Sequence, residues 1–234
     1  MNIFNDFLSL LYPVTCAACG NLLYKKEKAI CLHCSYHLPV AENGPESPPS
    51  KTLWGRVNVK TITCLYRFTK KSKVQHLLHN IKYCGRQDAA IAIGNILGSA
   101  IRNNTYQEGV IDIVVPIPMH PSRQRKRGYN QAQLIANGVC QGYYTQGNLR
   151  SPNTRLLQKV INITSQTAKK RFSRSINSQN AYRLNAKDPH NYNGLHLLLI
   201  DDVITTGATL EACATELLKL PSITISAAAI AYTE

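Results

Sequence analysis

The stretch LLLIDDVITTGATL, residues 197–210, places an acidic pair after an apolar run and follows it with hydroxyl residues and one glycine. The run from Leu197 to Ile200 is continuously apolar, as an interior strand of a parallel sheet should be. Leu210, Cys213, Ala214, Leu217 and Leu218 then fall on one helix face, and Ile223 to Ala231 reads as a further strand. Thr205, Thr206, Gly207, Ala208 and Thr209 sit where strand hands over to helix. Backbone N–H groups there lack helical acceptors, Gly207 can take a positive φ, and the hydroxyls add donors, so the turn suits a phosphate. Asp201 and Asp202 only accept hydrogen bonds, so they want two sugar hydroxyls or a hydrated Mg2+; a ribose 5-phosphate would satisfy both halves. A Walker B strand also ends in a hydrophobic-Asp-Asp sequence, but its G-x-x-x-x-G-K-[ST] partner is absent, as is the G-x-G-x-x-G of a dinucleotide site. The plain alternative is a capped helix beside solvated aspartates.

Working upstream, TITCLYRF (61–68) reads as a strand, and two helical stripes follow: Val74, Leu77, Leu78 and Ile81, then Ala89, Ile93, Ile96, Leu97, Ala100 and Ile101. Val110 to Val115 reads as a short strand interrupted by Asp112, followed by a basic loop over 116–131. A helix then carries Ala132, Ile135, Ala136, Val139, Cys140 and Tyr143 on one face. Strands alternating with helices of this length imply a mainly parallel sheet covered on both faces, with ligands at the carboxyl ends of its strands. Residues 142–153 and 188–194 read as surface loops.

The 234 residues are 44% hydrophobic, enough for one cored domain with a small appendage. No apolar stretch reaches the roughly 18 residues of a membrane span, and MNIFNDFLSLLYPVTC lacks the basic flank of a signal peptide. A cytoplasmic chain without membrane insertion is therefore expected. Net charge is +14, and residues 113–187 contain no Asp or Glu. Such a one-signed stretch suits a polyanion, whether nucleotide phosphates or nucleic acid, unless it is simply a solvated basic face. Tyr129, Tyr143, Tyr144, Phe172 and Tyr182 lie among these cations, a modest signal for stacking single-stranded DNA.

Cys16-x2-Cys19 and Cys31-x2-Cys34, with Gly20 after the first pair, look like two zinc knuckles; redox C-x-x-C pairs or unligated thiols are the alternatives. Four thiolates leave no open position, so Zn2+ here would be structural and His33 and His37 bystanders. The other four cysteines read as packing residues. Three prolines in ENGPESPPS mark a linker, which divides the chain into a zinc-binding module (1–41), a linker (42–52) and a larger domain (53–234).

LLLIDDVITTGATL resembles the phosphoribosyl pyrophosphate (PRPP) motif of type I phosphoribosyltransferases. With VVPIPMHPSRQRKRGYNQAQLIA (114–136), TRLLQKVINITSQTAKKRFSRSINSQNAYRL (154–184), whose Arg174 to Tyr182 reads R-x-x-N-x-x-x-A-Y, and the four cysteines, the chain is similar to the ComF family of competence proteins. That resemblance implies a phosphoribosyltransferase-like α/β fold with an N-terminal zinc module. It further implies that Asp201 and Asp202 hold the ribose hydroxyls, residues 205–209 bind the 5-phosphate, and Mg2+ bridges pyrophosphate and sugar. Arg123, Arg127 and Asn130, with Lys82 and Arg86 as further candidates, would face the pyrophosphate. The implied activity is pyrophosphate displacement by an unidentified acceptor. Non-catalytic single-stranded-DNA binding or PRPP sensing is the alternative, and a ComFA-like competence helicase the implied partner.

Overall fold

A computed structural model describes residues 13–24, 26–104, 106, 109–144, 150–161 and 181–233. Four parallel strands, β1 (Ile62–Phe68), β2 (Ile113–Pro116), β5 (His196–Ile204) and β6 (Thr224–Thr233), form a sheet in the order β1-β6-β5-β2. A two-stranded antiparallel ribbon, β3 (Leu157–Lys159) and β4 (Tyr182–Leu184), stands apart from it. The helices are α1 (Leu32–His37), α2 (Pro48–Lys51), α3 (Lys73–Tyr83), α4 (Gln87–Arg102), α5 (Pro121–Arg127), α6 (Gln131–Tyr143) and α7 (Ala208–Leu217). Among the described residues no helix is long and apolar enough to cross a membrane.

The sheet separates two cores. On one face α3, α4 and α6 bury Leu77, Ile81, Ile93, Leu97, Ile135 and Val139 against Val114, Leu198, Ile200 and Ile230. On the other, α7 and the ribbon bury Leu210, Cys213, Leu217, Leu157 and Tyr182 against Val115, Leu199 and Ala229. Central strands covered on both faces explain the unbroken apolar runs in the sequence.

The closest helix contact is made by glycines. A Cβ on Gly138 would lie 2.0 Å from the carbonyl oxygen of Ile91, and one on Gly94 would lie 2.2 Å from that of Ile135. Gly98 and Gly142 extend the seam, so α4 and α6 touch backbone to backbone.

Several expectations need correction. β5 does not stop at Ile200: Val203 and Ile204 pair with Ala231 and Tyr232, which puts both aspartates inside the strand. The basic loop contains helix α5, capped by His120 accepting from Ser122 N–H and closed by Gly128 at φ +88°. The second strand starts at Ile113; Val110 is exposed, and Asp112 accepts instead from His196 N–H at 2.9 Å. Ile96 and Leu218 remain partly exposed, at 40% and 39%, so the stripes are narrower than their sequence spacing implies. Cys84, at the end of α3, is exposed, unlike the buried Cys64, Cys140 and Cys213. Within 42–52, Asn43 exchanges two hydrogen bonds with the backbone of Cys64, and Pro48–Lys51 forms one helical turn.

Candidate functional site

Successive residues of a strand point to opposite faces, so the acidic pair of β5 splits across the sheet. Asp202 turns toward α3 and α6: its Oδ2 accepts from Lys82 Nζ at 3.0 Å and from Gln131 Nε2 at 2.8 Å. Gln131 is held in turn by Arg127 Nη1, which donates to its Oε1 at 2.6 Å. Asp201 is stabilised chiefly by the N–H of Asp202, which donates to its Oδ1 at 2.8 Å. Burial, and then the negative Asp202 beside it, push Asp201 up to about 7 despite that hydrogen bond and the nearby Lys82 and Lys159.

These groups line a cleft of about 340 Å³ with Lys82, Arg123, Arg127, Asn130, Lys159, Tyr182, Thr205 and Thr209. Lys159 donates to the Tyr182 hydroxyl at 2.9 Å. Burial and the neighbouring Arg123 lower its pKa, and burial raises that of Tyr182. Asn130 lines the wall and spends part of its amide internally. Its Nδ2 donates to Ile117 O at 3.0 Å and its Oδ1 accepts from Ala132 N–H at 3.1 Å, fixing the β2–α6 connection. Gln131 and Lys159 are not singled out as site residues by the sequence, although each lies in a quoted segment, and Tyr182, a stacking candidate there, lines this cleft instead.

Thr205 and Thr209 face the cleft; Thr206, Gly207 and Ala208 are not part of its wall. Gly207 adopts φ +71° at the start of α7, and a Cβ there would meet Leu53 Cδ2 at 2.7 Å and Thr52 Cγ2 at 2.9 Å. Both the backbone angle and the space demand glycine. No side chain caps this helix start, so its N–H groups keep donor capacity. Arg56 braces the turn from outside, donating to Thr206 O at 2.6 Å and pairing with Glu211.

The four cysteines converge. Their sulfur atoms all lie within 4.8 Å of one another, and Cys19 and Cys31 are 3.7 Å apart. A tetrahedron with Zn–S bonds of about 2.3 Å has edges near 3.8 Å, so the group is close enough to bind zinc. The N–H groups of Cys31 and Cys34 donate to Cys16 Sγ and Cys31 Sγ at 3.3 and 3.4 Å. Burial raises the Cys16 thiol, but N–H groups of Cys31, Cys19 and Ala18 outweigh it and bring the pKa to about 7. His33 and His37 stack on each other at 4.2 Å and are not members of the cluster.

This module is fastened to α3 and to the start of α4 through its carbonyls. Asn80 Nδ2 donates to Ala17 O at 2.8 Å, His76 Nδ1 lies 3.0 Å from Ala18 O, and Arg86 Nη1 donates to Thr15 O at 2.8 Å. Arg86 also forks onto Asp88, so this candidate phosphate ligand is engaged elsewhere. Of the tyrosines among the cations, Tyr144 and Tyr182 are buried, while Tyr129 donates to Ile81 O and Tyr143 accepts from Ile111 N–H. Phe172, Arg174 and most of the segment up to Tyr182 lie outside the described residues.

No family model matches the chain. It is 24% identical over 211 residues to DNA utilization protein YhgH of Escherichia coli K12, covering 87% of this chain and 84% of that protein. It is 30% identical to Competence protein F of Haemophilus influenzae over 55% of this chain and 54% of the relative. Competence protein ComFC of Bacillus subtilis is 34% identical over 46% of this chain and 38% of its own length. Two competence proteins and a DNA utilization protein thus align with a chain that combines four converging cysteines and the DDVITTGAT turn, and the chain is similar to them in the way its resemblance to ComF proteins implies.

Proposed function

We propose that this protein serves DNA uptake by binding PRPP and transferring its phosphoribosyl group to an acceptor. The supporting observation is the cleft itself: two carboxylates of β5, two hydroxyls at the start of α7 and four cations converge on one space. In this reading the 5-phosphate rests on Thr205, Thr209 and the uncapped N–H groups of α7. Asp201 and Asp202 accept from the ribose hydroxyls, and Lys82, Arg123, Arg127 and Lys159 hold the pyrophosphate. Asn130 fixes the wall through one Nδ2 N–H and its Oδ1, and its second Nδ2 N–H remains to meet the pyrophosphate.

The C1–O bond breaks with its electron pair leaving on pyrophosphate, while the acceptor's lone pair forms the new bond at C1 and its proton passes to solvent. Positive charge gathering on the ribose is stabilised by Asp201 and Asp202, and the arginines stabilise the departing anion. Mg2+ carried in with PRPP would neutralise part of the pyrophosphate charge. Cys16, Cys19, Cys31 and Cys34, as thiolates, would hold Zn2+ as a structural ion, since four protein ligands leave no position for a substrate.

Calorimetric titration with PRPP and Mg2+ is the direct test. Binding that disappears when Asp201→Asn and Asp202→Asn are combined, with pyrophosphate released once a suitable acceptor is added, is the expected result. Failure of PRPP to bind the folded protein would end this reading. The single-stranded-DNA alternative loses ground to the inward use of Tyr129, Tyr143, Tyr144 and Tyr182.

A further inference from the structure

A second basic cleft adjoins the first. It has a volume of about 730 Å³ and is lined by Lys82, Tyr83, Gly85, Arg123, Lys126, Arg127 and Tyr129. Lys82, Tyr83, Arg123 and Arg127 belong to both walls. The second cleft shares the cations Lys82, Arg123 and Arg127 with the first, adds Lys126, and has no carboxylate in its own lining. Its volume falls within the roughly 300–1,000 Å³ typical of small-molecule sites. Tyr83 is 67% exposed even though the Arg127 guanidinium lies 5.1 Å from its ring centroid. An exposed ring beside a cluster of cations suits a ligand that carries both a planar π-system and phosphate.

We infer that this second cleft binds a nucleotide, with its phosphates on Lys126, Arg123 and Arg127 and its base stacked on Tyr83. The occupant is not the acceptor. Pyrophosphate leaves C1 toward Arg123 and Arg127, and a nucleophile displacing it in line enters from the opposite side of the sugar. A nucleotide in the second cleft instead shares Arg123 and Arg127 with the pyrophosphate of PRPP and competes with it. The competition rests on the proposed function; nucleotide binding does not. The chemistry fits a free nucleotide or the phosphorylated end of a strand.

The full-length protein is titrated with ADP, with inorganic pyrophosphate and with a 5′-phosphorylated hexadeoxyadenylate. ADP is expected to bind more tightly than pyrophosphate. Tyr83→Leu should weaken ADP about five- to tenfold while changing pyrophosphate by less than about twofold, because only ADP loses a stacking partner. Tyr83→Phe should restore ADP binding, and Lys126→Gln should weaken it. Binding of the oligonucleotide alone, with the same Tyr83 dependence, supports the site and assigns it to a strand end. Equal affinity for ADP and pyrophosphate, or an equal loss of both in Tyr83→Leu, overturns the inference. If ADP binds with the expected Tyr83 dependence but PRPP does not bind, the nucleotide site stands and the transferase reading fails separately.

Discussion

Replacing Asp201 with asparagine should make the folded protein more stable at neutral and alkaline pH. Asp201 ionises at about 7 in the fold against a reference of 3.8. Between those values the native state holds a proton that the unfolded chain has lost, so stability falls as pH rises through this window and levels off above 7. At about 1.36 kcal/mol per unit, the full shift corresponds to a penalty of roughly 4 kcal/mol, with about 2–3 kcal/mol of it arising between pH 5 and pH 8. Relaxation and coupling to Asp202 reduce this, so a change of at least about 1 kcal/mol is expected. Asparagine has nearly the same volume, its Oδ1 still accepts from the Asp202 N–H, and it cannot ionise. Urea unfolding of both proteins at pH 5, 6, 7 and 8 reads the difference directly. The stability of Asp201→Asn relative to the parent should climb steadily with pH. A difference that stays flat across the range would refute the idea that Asp201 is a strained, ligand-seeking carboxyl.

Three further outcomes are expected. Gly138→Ala should cost about 3 kcal/mol or more in urea unfolding, because a methyl 2.0 Å from Ile91 O forces α4 and α6 apart and the roughly 1 kcal/mol gain in helix propensity does not compensate. Elemental analysis of the purified protein should find close to one zinc per chain, and Cys34→Ser should abolish that stoichiometry and lower the melting temperature. Arg56→Gln removes the donor to Thr206 O and the partner of Glu211, so PRPP should bind about five- to tenfold more weakly in calorimetry, with the fold retained by circular dichroism.

The order of strands and helices was readable because periodicity is a local signal. The stripe Val74, Leu77, Leu78 and Ile81 is buried on α3 as its spacing implies. Helix α5 gave no such signal: PSRQRKR has no apolar face to bury, and a proline start and a glycine end hold it instead. The acidic pair looked like the end of a strand because charge usually marks solvent. Pairing of Val203 and Ile204 with β6 overrides that local cue and divides the two carboxylates between opposite faces. Within the site, the cysteines and the Asp-Asp turn are contiguous and could be found by spacing. The triangle of Lys82, Gln131 and Asp202 joins three elements far apart in sequence, which no local pattern records. Arg86 shows the converse, since its charge suggested phosphate while its position beside Thr15 and Asp88 commits it to structure.

The cysteine module and the cleft are built on the same helix. Cys16, Ala17, Ala18 and Cys34 belong to the core that contains Leu77 and Ile81, so a module too small to bury its own apolar surface borrows that of the sheet domain. Its loop carbonyls at Ala17 and Ala18 meet Asn80 and His76 on one side of α3. Near the end of the same helix Lys82 reaches Asp202, and the Ile81 carbonyl receives the Tyr129 hydroxyl from the α5–α6 connection. A helix held at these points cannot shift along its axis without losing contacts to both the cysteine module and the cleft. The position of Lys82 over the carboxylate therefore depends on the knuckle that the four thiols form, so a metal bound by them would have a physical route to the cleft.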